Sequence, residues 1–210
     1  LIYQIETRLY QRQAIADKTT NFALTLPPPQ SDLAQELIKD EYVFDFLTLR
    51  RDAHEREVER ALVTRIRDFL LELGAGFAFI GSQYHLEVGG QDFYVDLLFY
   101  HLSLRCFVVI DLKVKEFQPE DGGKMNFYLS VINDKLRRPE DHPSIGIVLC
   151  KGRNRMVVEY ALRDLNKPVG VASYRYTEQL PAELAQSLPS PDQFEHMLKE
   201  AEELLPERQI

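Results

Sequence analysis

Two cysteines in 210 residues, no long apolar run, no surplus of positive charge and no secretion signal set the first limits on this chain. Cys106 and Cys150 both fall in apolar, strand-like surroundings. They read as buried free thiols serving as small apolar side chains, which suits a reducing cytoplasm. No paired Cys/His spacing is present, which argues against a zinc site. The longest apolar runs, such as residues 106–110, are far too short to span a bilayer, so no membrane partner is expected. The N-terminal LIYQIETRLYQRQ lacks the compact apolar core and small-residue cleavage site of a signal peptide. It opens on Leu1, as a fragment of a longer protein would. There are no internal repeats, and low complexity is confined to the proline run at 27–29.

The formal charge of −8 argues against a strongly basic nucleic-acid coat. The charge is uneven, however: residues 101–175 hold 13 Lys/Arg against 9 Asp/Glu, inside an otherwise acidic protein. A central basic zone is compatible with a localised phosphate-binding face, and equally with chance clustering on a solvated surface.

Residues 1–18 read as a helix with Ile2, Ile5, Leu9 and Arg12 toward one face, and 19–30 as a linker, because three consecutive prolines exclude a helix interior. Ser31 caps a short helix through Lys39. The segment 1–49 is expected to be the end of an N-terminal helical domain and its linker, packed on a partner chain or on a domain that precedes it. Residues 53–73 carry the clearest helical stripe, Val58, Leu62, Ile66, Phe69 and Leu73, stopped by Gly74. On that wheel Glu59 falls at the stripe's edge and Glu57 nearly opposite, so Glu59 is the acid best placed to look inward. An edge glutamate reaching out to solvent is the competing reading.

Strand signals follow over 77–88, a Gly89-Gly90 hairpin turn, then 92–101 and 104–114. In the last, Phe107, Val109, Asp111 and Lys113 alternate on one face and Val108, Ile110, Leu112 and Val114 on the other, which marks a central strand covered on both sides. A helix over 119–135 opens on Pro119, Glu120 and Asp121. A strand over 144–150, a helix over 154–164, a strand over 168–176 and an acidic amphipathic helix around 191–205 complete the order. This predicts an α/β fold with a mixed sheet flanked by helices, antiparallel early and parallel after the crossovers.

Asp96, Asp111 and Lys113 lie within 18 residues among Val, Leu and Phe, where an ionised carboxylate is costly unless compensated. If the turn is tight, Asp96 comes near Asp111 on the same face, and a hard divalent cation resolves the repulsion of the two. Asp-x-Lys alone more often marks an ion pair at a strand end. Gln83 could point at the same place from the preceding strand. His85 and His101 read as structural or surface histidines, and Phe77, Phe79, Phe93 and Phe99 as core. Lys151, Arg153 and Arg155 read either as contacts to a phosphate backbone or as a solvated loop.

This topology, with Asp96 and Asp111-Leu112-Lys113, resembles the PD-(D/E)XK nuclease superfamily. The longer phrases, from FLLELGAGFAFIG (69–81) through FVVIDLKVKE (107–116) and FYLSVIND (127–134) to SIGIVLCKGRNRMVVEYAL (144–162), resemble its YhcG-like bacterial branch. The resemblance implies a restriction-endonuclease-like core over 50–195, with a partial N-terminal helical segment before it and a tail over 196–210. It implies a Mg²⁺-dependent (or Mn²⁺-dependent) endonuclease acting on nucleic acid, DNA in the first place, and a homodimer through the N-terminal segment. Glu59, Asp96, Asp111 and Lys113 take the catalytic places, with Asp96, Asp111 and Glu59 on the metal. Lys124 and Tyr128 match a Gln-x-x-x-Tyr motif in spacing, with Lys for Gln, and join Gln83 as substrate-binding residues. Val109 and Val95 stand where related chains differ, Val95 in place of a proline. A nuclease fold kept only for nucleic-acid binding or protein assembly is the alternative.

Overall fold

A seven-stranded mixed sheet carries the chain, and two helical layers cover it. The computed structural model describes Ile5 and residues 7–178, which reach just past the end of a first unit, Leu1–Thr177. The acidic helix expected around 191–205 and the boundary at 195 lie outside the described residues. The strands are β1 (Thr19–Thr20), β2 (Glu41–Leu49), β3 (Phe77–Val88), β4 (Gln91–His101), β5 (Cys106–Glu116), β6 (Ile145–Gly152) and β7 (Val169–Glu178). Their order is β1-β7-β6-β5-β4-β3, with β2 also paired to β7. β3, β4 and β5 form the expected antiparallel meander, and β5, β6 and β7 run parallel. Gly89 and Gly90, at φ +59° and +76°, make the β3–β4 turn, a conformation that costs other residues steric strain.

The crossovers are α5 (Pro119–Lys135) and α6 (Arg155–Arg163); before them come α1 (Phe22–Thr25), α2 (Gln30–Leu37), α3 (Glu55–Thr64) and α4 (Ile66–Leu73). The alternation of β5 sorts the core. Val108, Ile110 and Leu112 join Val58, Leu62, Phe69 and Leu73 of α3 and α4 on one face. Val109 joins Met125, Leu129 and Ile132 of α5 and Val158 of α6 on the other. The helix expected over 53–73 is therefore two. The break falls at Arg65, outside helical dihedrals, after β-branched Val63 and Thr64, and Thr64 Oγ1 donates back to the Arg60 carbonyl (2.8 Å).

The N-terminal third departs most from expectation. Residues 19–30 are not a free linker: β1 pairs with Val171 and Gly170 of β7, and Phe22 and Leu26 are buried in the core. The nine residues of β2 were not expected as a strand, yet Tyr42, Phe44 and Leu47 are core residues. Asn21 ties this segment to the far end of the chain, accepting from the Val169 amide (2.8 Å) and donating to the Lys167 carbonyl (3.0 Å). Residues 19–49 thus complete the sheet. The helix expected over 1–18 reduces, among the described residues, to a π-helical segment at Gln11–Ile15 with short helical stretches before it.

That segment is anchored by charge. Glu72 Oε1 accepts from Arg12 Nη1 (2.6 Å) and the Val43 amide (3.0 Å), and Lys39 Nζ lies 3.3 Å from it. All three charged side chains are buried, and burial pulls the Lys39 pKa below its ordinary value against the pull of Glu72. Removing one partner of such a network leaves uncompensated buried charge. Glu72→Ala is expected to cost about 3–5 kcal/mol in urea unfolding, against far less for Glu159→Ala in the exposed Arg155–Glu159 pair.

Candidate active site

The site forms where β4 and β5 stop pairing. Their ladder runs from Leu97–Ile110 to His101–Cys106, so Asp96 stands just beyond the last pair. Its Oδ2 takes the Leu112 amide that the ladder no longer uses (2.9 Å). Asp111, on the α5 side of β5, is 1% exposed. Lys124 Nζ, from the first half of α5, donates to Asp111 Oδ1 (3.0 Å). Lys113 Nζ lies 2.5 Å from Asp111 Oδ2 but out of hydrogen-bond alignment, and it donates instead to the Leu112 carbonyl (3.2 Å). Oδ2 is therefore a buried carboxylate oxygen without an aligned donor among the described residues.

Glu59 does look inward: it is 4% exposed, and the Gln83 amide nitrogen donates to its Oε2 at 2.5 Å. The same nitrogen donates to Asp96 Oδ1 at 3.2 Å. The structure thus brings Glu59, Gln83 and Asp96 into one chain of contacts, and Asp111, Lys113 and Lys124 into another. Leu112 and the charge of Asp111 on Asp96 join the two. Tyr128 does not offer a free hydroxyl: it donates to the Tyr94 carbonyl (2.8 Å), fixing the hairpin to α5, and its ring lies 5.2 Å from Lys124 Nζ. Residues that sequence reasoning passed over are Arg56, whose Nη1 lies 3.7 Å from Glu59 Oε2, and the backbone of Leu112 and Tyr94. Arg56 was legible as an i,i+3 helix partner of Glu59; the backbone groups leave no trace in side-chain identity.

Other candidates take structural roles. Arg153 reaches Asp40 and the Val171 carbonyl, Arg155 pairs with Asp17 and Glu159, and Lys151 sits 4.5 Å over the Tyr176 ring. His101 is buried against the Ala75 carbonyl and Leu104 amide, and burial lowers its pKa. His85 lies 2.6 Å from Asp92 at the surface. Cys106 and Cys150 are buried free thiols.

Electrostatics follow from burial. Desolvation, then the charge of Asp111, pushes the Asp96 carboxyl up to about 6, against the Leu112 amide and the two lysines. Burial likewise raises Glu59. Burial opposes the charge of Lys124, but Asp111 outweighs it and holds the ammonium above its ordinary pKa. Among the described residues no three His, Cys, Asp or Glu side chains are gathered closely enough to hold a metal ion as they stand. The donor chemistry nevertheless fits a hard divalent cation: an unaligned Asp111 oxygen beside a carboxylate whose charge is already disfavoured.

The mixed sheet flanked by helices is a restriction-endonuclease-like core, and the chain's class follows from its family. Residues 35–189 match the family "YhcG PDDEXK nuclease domain", and the chain belongs to that YhcG family of the PD-(D/E)XK superfamily. It is 39% identical over 181 residues, 86% of the chain, to "Putative nuclease YhcG" of Escherichia coli (strain K12). The chain spans about half of that relative, 48% of its length. Among solved structures it is similar to a repair endonuclease from Pyrococcus abyssi (18% identity, TM-score 0.41, 60% of this chain and 49% of that one). It is also similar to EndoMS in a complex with double-stranded DNA (15% identity, TM-score 0.40, 60% of this chain and 45% of that one). Nucleases of this superfamily generally use divalent metals. No described helix is long and apolar enough to cross a membrane.

An acid whose pKa is raised by folding costs stability once ionised. For Asp96 the penalty grows as pH climbs from the ordinary carboxylate range through about 6 and is complete above it. In metal-free buffer Asp96→Asn is therefore expected to be more stable than wild type at pH 7.5, by up to about 3 kcal/mol. The gap should close below about pH 4 in urea unfolding.

Proposed function

We propose that this chain is a metal-dependent endonuclease hydrolysing phosphodiester bonds of nucleic acid, with DNA as substrate and Mg²⁺ or Mn²⁺ as cofactor. One observation carries this reading: buried Asp111, with Lys113 two residues on, lies on the strand next to Asp96 at the point where the two strands part. Membership of a nuclease family supports it. Asp96 and Asp111 would hold the cation, with Glu59 supplying a further acid through Gln83. When bound, the cation supplies an acidified water and neutralises charge on the phosphate oxygens of an in-line displacement.

The chain's own groups do the rest. Lys113, held at Asp111 and at the Leu112 carbonyl, orients the attacking water and steadies charge on the phosphate. Lys124 is the more exposed of the two lysines and can leave Asp111 Oδ1 for a phosphate oxygen, so it is the substrate-binding cation. Tyr128 serves binding by fixing the hairpin and seating Lys124 over its ring. Exposed Ile5, Tyr10 and Ile15 suit a homodimer through the N-terminal segment.

The second reading, a nuclease fold kept for binding or assembly, draws on the lysines facing both Asp111 oxygens. A panel of duplex, branched and single-stranded DNA and RNA with Mg²⁺ separates the two. Asp96→Ala and Asp111→Ala should each abolish cleavage while still melting cooperatively; cleavage that persists in both sinks the nuclease reading. Calorimetry in which wild type binds neither Mg²⁺ nor Mn²⁺ favours the second. For the dimer, Tyr10→Ser with Ile15→Ser should shift the sedimentation of the chain from dimer to monomer.

A further inference from the structure

Gln83 is where the β3–β4 hairpin changes direction. Its φ of +47° lies in the left-handed region, which side chains with a Cβ adopt at a cost. The buried side of the hairpin changes at the same place. On β3, Phe79 packs with α3 and α4, whereas Tyr84 and Leu86 pack in the cluster of α5; on β4, Leu97 and Phe99 belong to the first cluster and Phe93, Val95 and Leu98 to the second. A glycine would take this backbone without strain and make the twist as well. What glutamine adds is an amide, and that amide bridges Glu59 (2.5 Å) and Asp96 (3.2 Å). Glu59 comes from a helix on one face of the sheet, and Asp111 points to the other. The Gln83 bridge joins Glu59 to Asp96, and the Asp96 carboxylate accepts from the amide of Leu112, next to Asp111.

Resting on the nuclease reading above, we propose that Gln83 is a positioning residue: it clamps Glu59 and Asp96 in one arrangement, so that acids from opposite faces of the sheet act at one phosphate. It acts through the carboxylates and does not itself hold substrate. Strain retained at a site in exchange for geometry is the expected mark of such a residue.

The test compares Gln83→Gly, Gln83→Ala and Gln83→Asn with wild type and Asp111→Ala. Gln83→Gly is expected to melt no lower than Gln83→Ala, since glycine relieves the left-handed strain. In both, kcat should fall roughly ten- to hundred-fold with KM little changed, and Mn²⁺ affinity by calorimetry about ten-fold. Gln83→Asn, which tolerates the backbone and keeps an amide one methylene short, should recover part of kcat. A Gln83→Gly variant with wild-type kcat overturns the proposal, as does a loss carried by KM alone, which would make Gln83 a substrate contact. If wild type cleaves nothing in the panel, the nuclease reading fails by itself. Mn²⁺ affinity unchanged in Gln83→Gly then overturns the clamp independently.

Discussion

One carboxylate that cannot reach water governs this protein's central sheet. Asp111 pairs with Val148 of β6 and lies under α5, with Val108, Val109, Ile110 and Leu112 around it on its own strand. A charge there must be met by charge. Lys113 comes from its own strand and Lys124 from the helix that crosses over it, so the crossover is placed by electrostatics as well as by the Met125 and Leu129 packing that follows. Asp96 then sits where burial, and after it the charge of Asp111, disfavours its own ionisation. Glu59 and Gln83 extend the polar network into the opposite layer.

The parts of this arrangement set by short-range periodicity were legible in the sequence. The two-residue alternation of β5 put Asp111 and Lys113 on one face, the paired glycines located the hairpin, and the helical wheel chose Glu59 over Glu57. Those inferences needed only neighbours within a strand or a few turns. The antiparallel-then-parallel order followed from the helices between the later strands.

What the sequence hid depends on partners far along the chain or on backbone state. β1 and β2 pair with β7, more than a hundred residues later, and no turn signal announces that pairing. The proline run made residues 19–30 look like a tether, yet Phe22 and Leu26 on either side of Thr25 are buried. Arg12 fell on the same face as Ile2, Ile5 and Leu9, but its partner Glu72 lies 60 residues away, beyond the reach of any local pattern. Gln83 is the sharpest case. Gln83 could be placed near the site from its strand, but nothing about glutamine announces a left-handed backbone or an amide that bridges two acids.

The same backbone has a consequence for the sheet's outer border. β3 is the last strand on its side among the described residues, so it presents an unpaired rail of amide and carbonyl groups. A flat rail of that kind invites another chain to add a strand. Here the register slips between Phe79 and Gly81, and four residues from Phe79 the left-handed turn at Gln83 bends the rail again. An incoming strand would find straight ladder only in short pieces. A substitution that straightened β3 would thus lose the Glu59–Gln83–Asp96 bridge and leave a surface on which copies of the protein could stack.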